Sequence, residues 1–206
     1  MELTHDFRQR TALLLGDERM ARLQNARVAV FGLGGVGGAC AEALCRAGVG
    51  RLTLVDNDTV SLSNINRQIV ALHSTVGQPK TAALRARLLD INPACDIEEK
   101  NLFFDQSTAD SIDFSAFDYV IDAIDTVSAK RAVGTPILCC MGTGNKLEPT
   151  RLRISAIEKT SVCPLCRVMR RELRARGIAG VRVLWSDESP CVPIQQLSEN
   201  GRHPPG

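Results

Sequence analysis

The stretch RVAVFGLGGVGGACAEALCRAGVGRLTLVD, residues 27–56, constrains the fold more than any other part of the chain. Val28, Val30 and Phe31 belong to a continuous apolar run, the mark of a strand buried on both faces. GLGGVG, from Gly32 to Gly37, interrupts that run, and Val36, Cys40, Ala43 and Leu44 recur behind it at helical spacing. Leu52, Leu54 and Val55 supply a second strand. Strand, glycine turn, helix and strand within about thirty residues make a parallel βαβ unit.

The remaining pattern extends that unit. Helical spacing appears over 78–91 and 105–112, and strands are expected at 96–102, 117–124, 136–141, 151–157 and 181–185. Strands alternating with helices predict an α/β fold: a doubly wound, mostly parallel sheet with a Rossmann-like nucleotide-binding unit. Residues 1–25 read as a helical lead-in with Leu13, Leu14, Leu15, Met20 and Leu23 on its apolar side. Residues 26–185 form the α/β domain, and 186–206 an extended tail rich in proline. Only DTVSAKRAVGT separates the strands at 117–124 and 136–141. A crossover with its own helix needs at least about 10 to 12 residues, so this helix is very short or a stretch is missing.

Composition narrows the setting. A chain of 206 residues, 44% hydrophobic and 23% charged, can bury a full core. The N-terminus MELTHDFRQR carries Glu2 and Asp6 and no apolar core, unlike a signal peptide. The most apolar run, Val28 to Ala41, contains five glycines and is too short to span a bilayer, so no membrane is expected. The eight cysteines then read as reduced thiols of a cytoplasmic protein.

The glycine turn opens a helix, whose N-terminus offers free N–H groups and a positive dipole end to a phosphate. Asp56 closes the second strand, where a carboxylate can take ribose hydroxyls. NAD and ATP would both fit these features. The distinction lies downstream, where Asn64, Arg67 and Gln68 are followed by Lys80 and then by Asp122 and Asp125 at a strand end. Singly, Lys80 or Gln68 would read as solvated surface groups. Together they suit a triphosphate: Arg67 can fork across phosphate oxygens and Lys80 can act as a point charge. A carboxylate beside phosphates needs a cation between them, which gives Asp125 the role of Mg²⁺ ligand.

GLGGVG, DNDTVSLSNINRQ, Lys80 and DAIDT together resemble the adenylating superfamily of the ThiF, MoeB and HesA type, which includes ubiquitin-activating enzymes and activators of sulfur-carrier proteins. The opening FRQRTALLLGDERMARLQNARVAVFG, the phrase NINRQI and the stretch CMGTGNKLEPT are similar to one branch, the tRNA threonylcarbamoyladenosine dehydratases. The resemblance implies that Gly32, Gly34, Gly35 and Gly37 form the phosphate loop, that Asp56 holds the ribose and that Asp58 lines the same pocket. It assigns Asn64, Arg67, Gln68 and Lys80 to the triphosphate and Asp125 to Mg²⁺, with Asp122 nearby. Arg10 matches an arginine that in relatives reaches the partner subunit's site, which implies a homodimer. The implied reaction adenylates the threonyl carboxylate of a modified tRNA adenosine, and ring closure then expels AMP. Arg67 and Lys80 would offset most of the developing charge.

Two features stay open at this level. Cys163 and Cys166 have the spacing of half a zinc site, but no second C-x-x-C follows and only Cys191 lies downstream, so zinc is not expected and a buried thiol pair is. Arg167, Arg170, Arg171, Arg174 and Arg176 fall on a predicted helix with Leu165, Val168, Met169 and Leu173 on its other side. That face reads either as solvated or as a phosphate-contacting patch for tRNA. Two other functions also fit in outline. One is activation of a ubiquitin-like sulfur carrier, for which a complete zinc site and a transfer cysteine would speak. The other is a non-catalytic nucleotide-binding subunit.

Overall fold

In the computed structural model, residues 7–105, 107–124 and 134–192 are described. Two short helices lead in, α1 (Gln9–Leu15) and α2 (Asp17–Asn25). They break at Gly16, whose φ of 76° a side-chain-bearing residue adopts only under strain. The apolar side expected of this segment is not buried throughout: Leu13 and Leu14 are each 82% exposed, and Ala12 is the residue of α1 that packs inward.

Seven strands follow: β1 (Arg27–Phe31), β2 (Arg51–Val55), β3 (Asp96–Lys100), β4 (Tyr119–Asp122), β5 (Ile137–Cys140), β6 (Leu152–Ala156) and β7 (Arg182–Ser186). They form one sheet in the order β3-β2-β1-β4-β5-β7-β6. Every pairing is parallel except that of β6 with β7. Each strand expected from the sequence is therefore present within a few residues, and the doubly wound sheet stands. The helices are α3 (Gly35–Ala47), α4 (Lys80–Ile91) and α5 (Pro164–Ala175).

The order of strands fixes where a ligand can enter. From β1 the chain moves outward to β2 and β3, and returns to the other side of β1 as β4. Loops leaving the carboxyl ends of β1 and β4 therefore diverge and leave a crevice, the usual ligand position in such sheets. Beneath the crevice, Val30, Leu54, Leu84 and Leu88 are fully buried where β1 and β2 meet α3 and α4. On the opposite face Phe31 packs against Phe104 and Phe114, with ring centroids 4.7 and 5.7 Å away. Each such buried apolar side chain contributes about 1.5 to 3 kcal/mol, so the strand ends are firmly held.

The helix expected over 105–112 is absent among the described residues. A 3₁₀ turn at Ala109–Ser111 stands there, with a second at Phe114–Ala116. Asp105 accepts backbone N–H bonds from Ser107 and Thr108, and Asp113 accepts one from Ser115. Side chains that bond their own backbone in this way favour turns over helices. Asp125 and most of the short crossover that follows it lie outside the described residues.

Candidate nucleotide site

The glycine turn is shaped by what has no room beside it. Gly32 has φ 82°, and a Cβ there would lie 2.7 Å from the carbonyl oxygen of Ala123. A Cβ at Gly37 would lie 1.8 Å from the Gly32 carbonyl oxygen. These two glycines let β1, β4 and α3 approach one another. Gly34 and Gly35 face the loop that carries Arg67 and Gln68. A Cβ at Gly35 would meet the Arg67 carbonyl oxygen at 3.2 Å, and one at Gly34 would stand 3.8 Å from Gln68 Nε2. Gly34 is the N-cap of α3 and no side chain caps that helix, so the N–H groups of its first turn face the crevice.

Asp56, at the end of β2, braces this turn. Its Oδ2 accepts the Leu33 N–H at 2.6 Å and its Oδ1 accepts the Asp58 N–H at 2.8 Å. Asp58 continues the chain of contacts: its Oδ2 lies 2.7 Å from Lys80 Nζ. The two partners differ in access, with the Lys80 side chain 6% exposed and that of Asp58 52%. A lysine so buried is held by a carboxylate that solvent, or a ligand, can reach. A bridge between Thr59 and Pro79 and the bond from Lys80 N–H to Asp58 O place Lys80 at the first position of α4. The link between Asp58 and Lys80 was not read from the sequence; Pro79, poised at a helix start, was the available signal.

The polar loop after β2 is internally organised. Asn64 accepts the Ser61 N–H and closes a capping box over the turn Leu62–Asn64. Arg67 is exposed, and its guanidinium donates to Ser63 O at 3.2 Å and Asn66 Oδ1 at 3.0 Å. Gln68 is buried, and its Oε1 has no hydrogen-bond partner. Buried acceptors are rarely left unsatisfied, so this atom calls for a donor such as a ligand hydroxyl or amine. Asp122, 1% exposed at the end of β4, accepts the Ile124 N–H at 3.2 Å.

The structure thus gathers Gly32, Gly34, Gly35, Gly37, Asp56, Asp58, Asn64, Arg67, Gln68, Lys80 and Asp122 around the carboxyl ends of β1, β2 and β4. It does not bring Arg10 there. Arg8 packs beside Gly48, at the C-terminal end of α3, and Arg10 is exposed on α1. Thirteen helical residues separate that end from the glycine turn, a distance of about 20 Å. Asp125 lies outside the described residues. Among the described residues no group of three or more His, Cys, Asp or Glu side chains is placed to hold a metal ion.

Of the cysteines near the strand ends, Cys140 has its thiol pushed up to about 12, chiefly by burial. It would be protonated at neutral pH and is a poor candidate for thioester chemistry. On α5 the buried residues are Cys166, Met169 and Leu173. Val168, expected on the apolar side, is 43% exposed. Arg167, Arg170, Arg171 and Arg174 line one shallow surface hollow.

Residues 8–146 match the model of the ThiF family. The chain belongs to the ThiF family. Among the ThiF-like relatives, the tRNA threonylcarbamoyladenosine dehydratase of Bacillus subtilis is 45% identical over 198 residues, which cover 92% of this chain and 78% of that protein. The crystal structure of the Escherichia coli tRNA N6-threonylcarbamoyladenosine dehydratase in complex with ATP superposes with a TM-score of 0.84 at 32% identity, covering 94% of this chain and 87% of that one. The molybdopterin-synthase adenylyltransferase of Salmonella typhimurium is 43% identical, but over 113 residues, or 55% of this chain and 45% of that protein. The glycine turn and the loop after β2 fall inside the stretch matched to the ThiF family, and α5 with β6 and β7 lies beyond it.

Proposed function

We propose that this ThiF-family chain is an ATP-dependent dehydratase that cyclises threonylcarbamoyladenosine in tRNA through a carboxyl-adenylate. One observation carries the reading: likeness to the dehydratases runs through 92% of the chain, past β5 and α5, whereas likeness to the molybdopterin-type adenylyltransferase covers 55%. The alternative, adenylation of a ubiquitin-like sulfur carrier, has support only over that shared portion.

The chemistry suits the site. ATP would lie across the crevice with its phosphates at the uncapped start of α3. Gln68 Oε1, buried without a donor, is suited to a hydroxyl or amine of the nucleotide. Lys80 would exchange its contact with Asp58 for a phosphate oxygen, and Arg67 would leave its loop acceptors to do the same. The threonyl carboxylate then attacks the α-phosphorus, and pyrophosphate departs. The carbamoyl group next attacks the activated carbonyl carbon, and AMP leaves as the ring closes. Aligning two anions and offsetting their charge is the protein's part, and no covalent nucleophile is needed. Mg²⁺ would supply further phosphate neutralisation, held by Asp125 with Asp122 near it; such an ion binds through phosphates and one or two carboxylates.

The partners follow from the same reading. tRNA phosphates would meet the arginine face of α5. A homodimer would carry Arg10 into the second subunit's site, and the exposed Leu13 and Leu14 beside it would be covered there. The setting would be the cytoplasm; no helix among the described residues is long and apolar enough to cross a membrane.

Pyrophosphate release from ATP tests the reading when measured with threonylcarbamoyladenosine-bearing tRNA and separately with a sulfur-carrier protein. Stimulation by the tRNA alone is expected, and stimulation by the carrier alone would overturn it. Arg67→Ala and Asp125→Ala should each lower AMP formation by about 10²-fold or more, as loss of a transition-state charge partner does, with the far-UV circular dichroism unchanged. Near-normal turnover in either variant would remove that residue from the mechanism.

A further inference from the structure

The loop that leaves β5 is held by the loop that leaves β7. The two strands are parallel neighbours, and the bond from Met141 N–H to Leu184 O at 2.8 Å carries their pairing one residue further. Beyond it, Glu188 reaches across to residues 146–148. Its carboxylate accepts the Leu147 N–H at 3.0 Å and the Glu148 N–H at 3.1 Å, and its carbonyl oxygen accepts from Lys146 Nζ. Its own N–H donates to Ser186 Oγ at 3.1 Å. Every polar group of Glu188 is therefore engaged, and all but the N–H serve one short segment. The Cys191 N–H closes the clasp on Asn145 O at 2.7 Å, and Asn145 adopts a left-handed φ of 58°.

Burial does not explain this clasp. Asn145, Leu147 and Glu148 are exposed, Leu147 by 81%. A hydrogen bond at the surface gains little beyond what ordering its residue costs, so these bonds add little to folding. Their effect is to fix where half-buried Lys146 stands. The loop starts beside the first turn of α5, where a Cβ at Gly142 would lie 3.9 Å from Leu165 Cβ. It also rises from the same rim as the glycine turn, because β1, β4 and β5 are parallel neighbours. At about 4.8 Å per strand, β5 stands about 10 Å from β1. Several cations of this rim are already neutralised, Lys80 by Asp58, and Arg151 and Arg153 by Asp187. Lys146 forms no ion pair among the described residues; like Arg67 in the loop after β2, it donates to a neutral acceptor.

We propose that Lys146 binds a backbone phosphate of the RNA substrate, and that Glu188 is the positioning residue that presents it. This inference rests on the dehydratase reading. On that reading the reacting carboxylate lies at the α-phosphorus beside the glycine turn, about two strand spacings from β5, so Lys146 is not its partner. The flanking RNA backbone crosses the rest of the rim toward the arginine face of α5, and there a phosphate meets Lys146. An ammonium is a compact point charge, and it gains by exchanging a neutral carbonyl for an anionic oxygen. The exchange leaves the clasp shut. The Glu188 carboxylate keeps its bonds to the Leu147 and Glu148 N–H groups, which, that of Leu147 foremost, hold its carboxyl below the ordinary value of 4.5.

The test is the affinity of the full chain for threonylcarbamoyladenosine-bearing tRNA, read by fluorescence anisotropy over graded potassium chloride. Lys146→Gln should weaken binding about 3- to 10-fold at physiological salt and lower the log–log salt slope by about 0.7 to 0.9, the share of one phosphate contact. Lys146→Arg should keep the parent slope. The same tRNA without the modification should lose affinity for Lys146→Gln by the same factor, because the contact is a phosphate and not the threonyl carboxylate. ATP affinity, measured by calorimetry, should match the parent throughout. Glu188→Ala should lower the slope as Lys146→Gln does, and Glu188→Gln, which keeps one acceptor oxygen, should recover most of it. The double variant should bind no more weakly than Lys146→Gln alone, as two residues acting through one contact require. A parent slope in Lys146→Gln overturns the proposal, and so does a loss confined to the modified tRNA, which would make the carboxylate the contact. A Glu188→Ala variant with a lower thermal midpoint and the parent slope overturns the positioning role. If the unsubstituted chain does not bind tRNA, the dehydratase reading falls and this proposal with it; tRNA binding that ignores Lys146→Gln sinks this proposal alone.

Discussion

Residues 27–91 and 134–186 fill the two wings of one sheet, yet different things hold them in place. In the first wing the limits are set by the backbone. β1 and β2 each bury four of their five residues, and glycines admit strand and helix where a methyl group would collide. In the second wing the limits are set by side chains. β6 is exposed over its first three residues, and it is tied to β7 and the turn beyond by Arg151 and Arg153 on Asp187. The first wing is closely constrained and lies within the stretch that matches the ThiF family. Most of the second lies beyond that stretch.

The sharpest way to break this comparison is a pair of glycine substitutions. Gly37→Ala puts a methyl group 1.8 Å from the Gly32 carbonyl oxygen; the expected loss exceeds about 4 kcal/mol, the range of exceptional point mutations. Soluble yield and thermal unfolding should both collapse. Gly142→Ala, whose nearest neighbour would be Leu165 Cβ at 3.9 Å, should cost less than about 1 kcal/mol. Equal effects would erase the distinction between the wings.

Core truncation gives a smaller contrast. Leu84 is fully buried on α4, and Leu84→Ala should destabilise by about 2 to 5 kcal/mol. Ile154 is 54% exposed on β6, and Ile154→Ala should change stability by about 0.5 kcal/mol or less. Urea midpoints at constant slope would measure both. The smallest contrast concerns Glu42, which accepts from Arg87 at 2.5 Å and Arg46 at 2.9 Å. The Arg87 guanidinium, then that of Arg46, holds its carboxyl below the ordinary value of 4.5. A depressed carboxylate contributes above its unfolded value and loses that contribution as pH falls through the folded one. Glu42→Gln should therefore cost at most about 1 kcal/mol at pH 7, and the difference from the parent should fade as the pH drops below the ordinary carboxylate range and through the depressed folded value. A gap that persists in acid would mean packing, not charge, sustains the contact.

Much of the architecture was legible before any coordinates, and for unequal reasons. Buried parallel strands announce themselves as unbroken apolar runs, so β1, β2 and β4 could be read directly, and the glycines marked the turn between β1 and α3. The segment 105–112 misled because its apolar residues imitate helical spacing. Asp105 and Asp113 instead capture neighbouring backbone N–H groups, a local competition that periodicity does not register. The site was legible as a set of residues and not as a network. Spacing gave Asp56, Arg67 and Lys80, and the family resemblance added Asp58; neither could tell that Asp56 binds the Leu33 N–H or that Asp58 covers Lys80. Leu13 and Leu14 were read as an inward face because sequence shows that a stripe is apolar, but not what covers it.

The ion pair of Asp58 and Lys80 has one more consequence. A cation tucked away from water under a carboxylate is shielded from dissolved chloride, so raising ionic strength should loosen it little. Only an anion able to enter the crevice and displace a carboxylate can claim that charge. Lys80 is thereby guarded against monovalent salt, and on the function proposed above it would yield to a polyphosphate, a filter that works by competition between acids and not by the shape of an opening.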